Sequence, residues 1–81
     1  MSPRAILRGD AGYYQVQGAI WALGPSAYRA YVHLIPPTPH RDLFMSVNAA
    51  TMQEALGAAE AQVIATTGAP VKNLKVRATT S

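Results

Sequence analysis

Between residues 27 and 35 the side chains alternate: Tyr28, Ala30, Val32 and Leu34 point one way, and Arg29, Tyr31, His33 and Ile35 the other. A period of two is that of an extended strand. Residues 43–49 repeat it, with Leu43, Met45 and Val47 on one face and Phe44, Ser46 and Asn48 on the other. Segment 13–23 is rich in aromatic and β-branched residues and stops at the turn cluster Gly24-Pro25-Ser26, so it also reads as a strand. Ahead of it, Gly9-Asp10-Ala11-Gly12 reads as a turn, which makes residues 5–8 a short partner strand in a hairpin. Residues 71–79 alternate once more, with Leu74, Val76 and Ala78 opposed to Asn73, Lys75, Arg77 and Thr79, although Lys72 breaks the pattern near its start.

One stretch changes period. Thr51 is followed three residues later by Glu54, the spacing of a capping box in which the hydroxyl accepts from a first-turn amide. A helix is therefore expected from Met52. Met52, Leu56, Ala59 and Val63 then recur as one apolar stripe, with Ala55 beside it small enough for close approach to a sheet. Gly68 supplies the stop and Pro70 prevents resumption. Pro36-Pro37-Thr38-Pro39 interrupts the sheet and, with His40-Arg41-Asp42, forms an exposed loop. The expected fold is a single α+β domain: an antiparallel sheet of three to five strands with one helix packed on one face, in the order β-β-β-α-β, with the short strand in front.

A single apolar stripe covers a single sheet face. The inward set is then Val16, Ile20, Tyr28, Val32, Leu34, Leu43, Met45, Val47, Leu74 and Val76. Alternation leaves Tyr13, Gln15, Gln17, Trp21, Arg29, Tyr31, His33, Lys75 and Arg77 on the open face, with no carboxylate among them. Shielding of a solvated sheet explains such a face without any partner, because Arg and Lys stems lie well over rings. Two functional readings use the same residues. A protein partner is one, since Trp, Tyr and Arg dominate interface energetics. Nucleic acid is the other, with bases stacked on rings and phosphates met by cations.

Composition narrows the classes. The 81 residues fit one domain with a modest core, since a domain of this size buries only about 60–65% of its extended-chain surface. Apolar residues at 49% and charged ones at 14% put the chain outside the disordered regime. Charge this scarce leaves Ala, Thr, Gln and Tyr to cover the solvent side, a surface suited to association, and a homodimer is expected. The smooth helix face of Ala58, Ala61 and Ala65, edged by Ile64, is one place for a second copy; the final strand is another, a natural sheet edge with Lys75 and Arg77 as guards against unwanted pairing. The net charge of +3 favours polyanions mildly. Residues 1–10 have neither the apolar run nor the cleavage site of a secretory leader, and no segment is apolar for long enough to span a bilayer, so a cytoplasmic protein without a membrane partner is expected.

Catalytic and metal chemistry find little to work with. Cysteine is absent. His33, His40 and Asp42 lack a compact metal-ligand spacing, and Ser26 and Ser46 lie in no glycine-framed elbow. Asp10, Asp42, Glu54 and Glu60 each have an ordinary place in a turn, loop, cap or helix, so no acid/base pair emerges. A small enzyme would require His33 and a carboxylate side by side in a cleft. No phosphate-cradling glycine loop occurs. The expectation is a non-enzymatic protein-binding module, without cofactor or metal, whose contacts are Tyr13, Trp21, Arg29, Tyr31, His33, Arg41, Lys75 and Arg77; the alternative is a small nucleic-acid-binding protein using the same face. Arg41 joins the set because the stiff proline loop presents it with His40.

Residues 46–77 run from a strand through Asn48-Ala49-Ala50-Thr51 into an alanine-rich helix, the Gly68 stop and a final strand. This layout resembles one found in small phage and mobile-element proteins, among them some anti-CRISPR inhibitors and antitoxin-like domains. The resemblance implies a protein that blocks a host complex by occupying a surface. Many such inhibitors imitate nucleic acid with acidic patches, and the positive balance here departs from that pattern.

Overall fold

The computed structural model describes residues 2–37 and 39–79, so Thr38 of the proline loop lies outside the described residues. Among the described residues five strands and one helix follow in order: β1 (Ala5–Ala11), β2 (Tyr14–Gly24), β3 (Ala27–Ile35), β4 (Leu43–Ala49), α1 (Met52–Thr67) and β5 (Val71–Ala78). All pairings are antiparallel, in the sheet order β4-β3-β2-β1-β5. The protein is thus an α+β domain with a single helix over one face of a five-stranded antiparallel sheet.

The first strand departs most from the pattern-based reading. The turn expected at residues 9–12 is confined to Gly12 and Tyr13, and the chain stays extended through Ala11. Gly12 takes the left-handed conformation at φ 61°, which glycine adopts without steric cost. β1 is consequently an interior strand, paired on both sides, and buries Ala5, Leu7 and Ala11. Gly9 lies opposite a bulge: the β1–β5 register shifts between Arg8 and Asp10, and Asn73 has a φ of 56°. A Cβ on Gly9 would lie 3.1 Å from the Lys72 carbonyl oxygen. The extra residue resets the alternation, which is why Lys72 breaks the sequence pattern yet faces the same way as Lys75.

Topology sets the helix path. β4 and β5 occupy opposite edges and point the same way, so the connection must return along the strands and cross the whole sheet. Four inter-strand steps of about 4.8 Å span about 19 Å, and the sixteen residues of α1 at 1.5 Å each reach about 24 Å. The helix therefore runs diagonally, from the end of β4 at Ala49 to the start of β5 at Val71. Thr51 caps it, its hydroxyl accepting from the Glu54 N–H at 3.1 Å, and Gly68 closes it at φ 70° while its N–H donates to the Ile64 carbonyl at 2.8 Å.

Ala55, Ala59 and Val63 bury against Val16, Ile20, Ala30, Val32 and Leu34 of the sheet, each large side chain contributing about 1.5–3 kcal/mol. Tyr28, Leu43, Met45, Val47 and Leu74 pack half-buried around them. The diagonal covers two corners less fully. At the start of β4, Leu43 and Met45 are only partly buried; at the end of β5, Val76, expected in the core, is 47% exposed.

Candidate functional site

The register turns the open face into a grid, because directly opposed antiparallel residues share a face. One row runs Phe44, His33, Gln17, Arg8 and Lys75 from β4 to β5. The next runs Ser46, Tyr31, Ala19, Ile6 and Arg77, and a third, shorter one Asn48, Arg29 and Trp21. At the other end Ile35, Gln15, Asp10 and Lys72 complete the face. Trp21, Arg29, Tyr31, His33, Lys75 and Arg77 therefore share one surface.

Two of the expected contact residues lie elsewhere. Tyr13 is in the β1–β2 turn, 90% exposed, and not on the sheet face, because β2 begins only at Tyr14. Arg41 is exposed in the β3–β4 loop at the same end of the sheet. The face also holds residues that pattern reading left off it. Ile6 and Arg8 arrive with β1, whose alternation of Ala5, Ile6, Leu7 and Arg8 was a usable signal; Lys72 arrives through the bulge, which has no signal in the sequence. Nor is the face free of carboxylates, since β1 brings Asp10 to it and Asp42 reaches it from the loop.

Neighbours hold several of these side chains in place. Arg29 donates through Nε to Asn48 Oδ1 at 2.8 Å and through Nη1 to Tyr31 Oη at 3.4 Å. Neither acceptor is a carboxylate, so the guanidinium is oriented without a countercharge. The His33 ring stacks on Phe44, with centroids 4.3 Å apart and planes 16° from parallel, and its Nε2 lies 2.7 Å from Asp42 Oδ2. This is the adjacency of histidine and carboxylate that a small enzyme would need. Here it ties the proline loop to the sheet, and no hydroxyl is hydrogen-bonded to the ring among the described residues. Asp10 accepts from Asn73 Nδ2 at 3.3 Å. Among the described residues no Lys or Arg lies within ion-pair distance of a carboxylate side chain, and no group of three or more potential ligands is placed to hold a metal.

Two hollows adjoin on this surface. One of about 370 Å³ is lined by Ala19, Gln17, Tyr31, His33 and Phe44, among others. The other, about 340 Å³, is lined by Ile6, Arg8, Lys75 and Arg77. Ile6 and Arg8 border both. Arg8 and Lys75 are direct cross-strand partners, and like charges so opposed are destabilising.

Charge is unevenly distributed, with cations in excess on the open face despite Asp10 and Asp42 there. Arg8, Arg29, Lys72, Lys75 and Arg77 lie on the open face, and Arg4 and Arg41 in flanking segments, whereas α1 carries Glu54 and Glu60 and no cation. Among the described residues no helix is long and apolar enough to cross a membrane. No protein-family model, curated protein or solved structure matches the chain.

Proposed function

We propose that the protein is a non-enzymatic cytoplasmic module that binds single-stranded nucleic acid on its open sheet face. The observation that carries this reading is the pair of adjoining hollows, one lined by the rings of Tyr31, His33 and Phe44 and one lined by Arg8, Lys75 and Arg77. A base lies flat in the first against Tyr31 or Phe44, and its phosphate falls in the second. The directly opposed Arg8 and Lys75 repel each other in the free protein, and a phosphate between them relieves that repulsion. Exposed bases are needed for such stacking, so single strands fit this face better than duplex.

Fluorescence anisotropy with labelled oligonucleotides tests the reading. Five face cations, each releasing about 0.7 counterions per phosphate met, set a ceiling of about 3.5 on the slope of log K against log salt. Lys75→Ala or Arg77→Ala should lower that slope by about 0.7. Tyr31→Ala should weaken binding by about 1–3 kcal/mol at an unchanged slope, because stacking releases no counterions. No binding of single or double strands at low salt overturns the proposal.

The exposed apolar side chains favour a second reading. Ile6, Tyr31 and Phe44, the last 74% exposed, share the face with Arg29 and Trp21, a composition of protein-interface anchors. In that case the face docks on a protein, and the resemblance to phage-borne inhibitors points to occlusion of a host complex. This reading takes over if oligonucleotides fail to bind while a host protein recovered on the native chain is lost with both Arg29→Ala and Tyr31→Ala.

A further inference from the structure

The two sheet edges differ in kind. β5 carries Lys72, Lys75 and Arg77, a bulge and the left-handed Asn73, the features that discourage a further strand from pairing. β4 has none of them. Its seven residues, Leu-Phe-Met-Ser-Val-Asn-Ala, include no charge, proline or glycine. β3 is its one strand neighbour, and no other described backbone group bonds to it. An uncharged, regular edge of this length is a template for a further strand.

We propose that β4 is a homodimerisation edge, two copies pairing antiparallel along Leu43–Ala49 about a two-fold axis at or beside Ser46. Three observations choose a second copy as the occupant. First, the strand is complementary to itself. Opposed residues share a face, so pairing about Ser46 sets Leu43 against the partner's Ala49 and Met45 against the partner's Val47, all on the helix side, and leaves Phe44 against the partner's Asn48 on the open side. Second, the diagonal helix makes the contact reciprocal. α1 starts above the Ala49 end of β4 and leaves Leu43 and Met45 at the other end only partly buried; antiparallel pairing brings each such corner beside the other copy's helix start, where Met52 and Leu56 are likewise only partly buried. Third, the charge distribution permits it. The strand cations nearest this edge are the two Arg29 side chains, each already turned onto Asn48 and Tyr31, while Arg8, Lys72, Lys75 and Arg77 lie on the far strands. The result is one sheet with five strands from each copy and the two open faces continuous across the seam.

Sedimentation of the full chain should show a concentration-dependent dimer. Ser46→Lys, at an exposed position, sets two ammonium groups directly opposite or diagonal to each other at the seam and should give a folded monomer with an unchanged far-ultraviolet spectrum. The absence of native cysteine makes a second measurement clean. Among Met45→Cys, Ser46→Cys and Val47→Cys, the variant on the axis should form a disulfide-linked dimer on mild oxidation, since opposed Cβ atoms lie about 4.5–5.5 Å apart, whereas Lys75→Cys should stay monomeric. A monomer at every concentration overturns the proposal and leaves the edge to a foreign strand. A dimer that survives Ser46→Lys, or that cross-links through Lys75→Cys instead, places the interface elsewhere and also overturns it. Neither measurement involves an oligonucleotide, so it stands or falls apart from the nucleic-acid reading.

Discussion

Beneath the helix, Val47, Ala30, Ile20, Ala5 and Ala78 form one row across the sheet. Ile20 is fully buried, and its neighbours on both sides, Ala30 and Ala5, are buried alanines. The helix above contributes Ala55 and Ala59, buried as well. Ile20→Ala would empty the largest side chain of this row, and the alanines on either side of it have no rotamers with which to lean into the void. Leu or Ile to Ala costs about 2–5 kcal/mol according to how far a site collapses, and a site walled by alanines belongs near the top, at about 4 kcal/mol. At about 0.05–0.15 kcal/mol per residue the whole domain is stable by only about 4–12 kcal/mol, so the variant should lose a third of its stability or more. Urea unfolding followed by Trp21 fluorescence and far-ultraviolet circular dichroism reads this as a lower midpoint at an unchanged slope. Ala30→Ile alone overfills the row and should cost about 1–3 kcal/mol. Combined with Ile20→Ala it should refill the space, so that the double variant is more stable than the sum of the singles predicts by at least about 1 kcal/mol. A loss below about 1 kcal/mol for Ile20→Ala at an unchanged slope, or strict additivity of the pair, would refute this packing.

Two glycines should respond in opposite directions. A Cβ on Gly18 would lie 2.7 Å from the Tyr31 carbonyl oxygen, so Gly18→Ala must displace the β2–β3 pairing at the candidate site; a cost of about 1–3 kcal/mol and weaker oligonucleotide binding are expected. Gly57 is inside α1 with nothing within 4 Å of its absent Cβ, and Gly57→Ala should stabilise by about 0.5–1 kcal/mol without affecting binding. Equal effects in denaturant titrations would contradict the account of both. Thr51→Ala removes the helix cap and should lower stability by about 1 kcal/mol, while oligonucleotide affinity, measured on the face away from the helix, stays as in the native chain.

Local patterning alone specified most of the elements. The alternation at Tyr28 to Ile35 and at Leu43 to Val47, the Thr51 and Glu54 cap and the Gly68 stop are properties of neighbouring residues, and steric and hydrogen-bonding rules act on neighbours wherever the chain goes. The sharing of one face by Trp21, Arg29, Tyr31, His33, Lys75 and Arg77 was legible for the same reason. What escaped depends on residues distant in the chain. Gly9-Asp10-Ala11 has the composition of a turn, and it stays extended because β2 and β5 pair with it on both sides. Lys72 joins the basic face only because the bulge at Asn73 absorbs a residue against Gly9, more than sixty positions earlier. Which strand is an edge, and hence that β4 is bare while β5 is guarded, is a matter of strand order, and side-chain periodicity carries no record of it. The juxtaposition of Arg8 with Lys75 beside the rings of Tyr31 and Phe44 likewise exists only in the register of the assembled sheet.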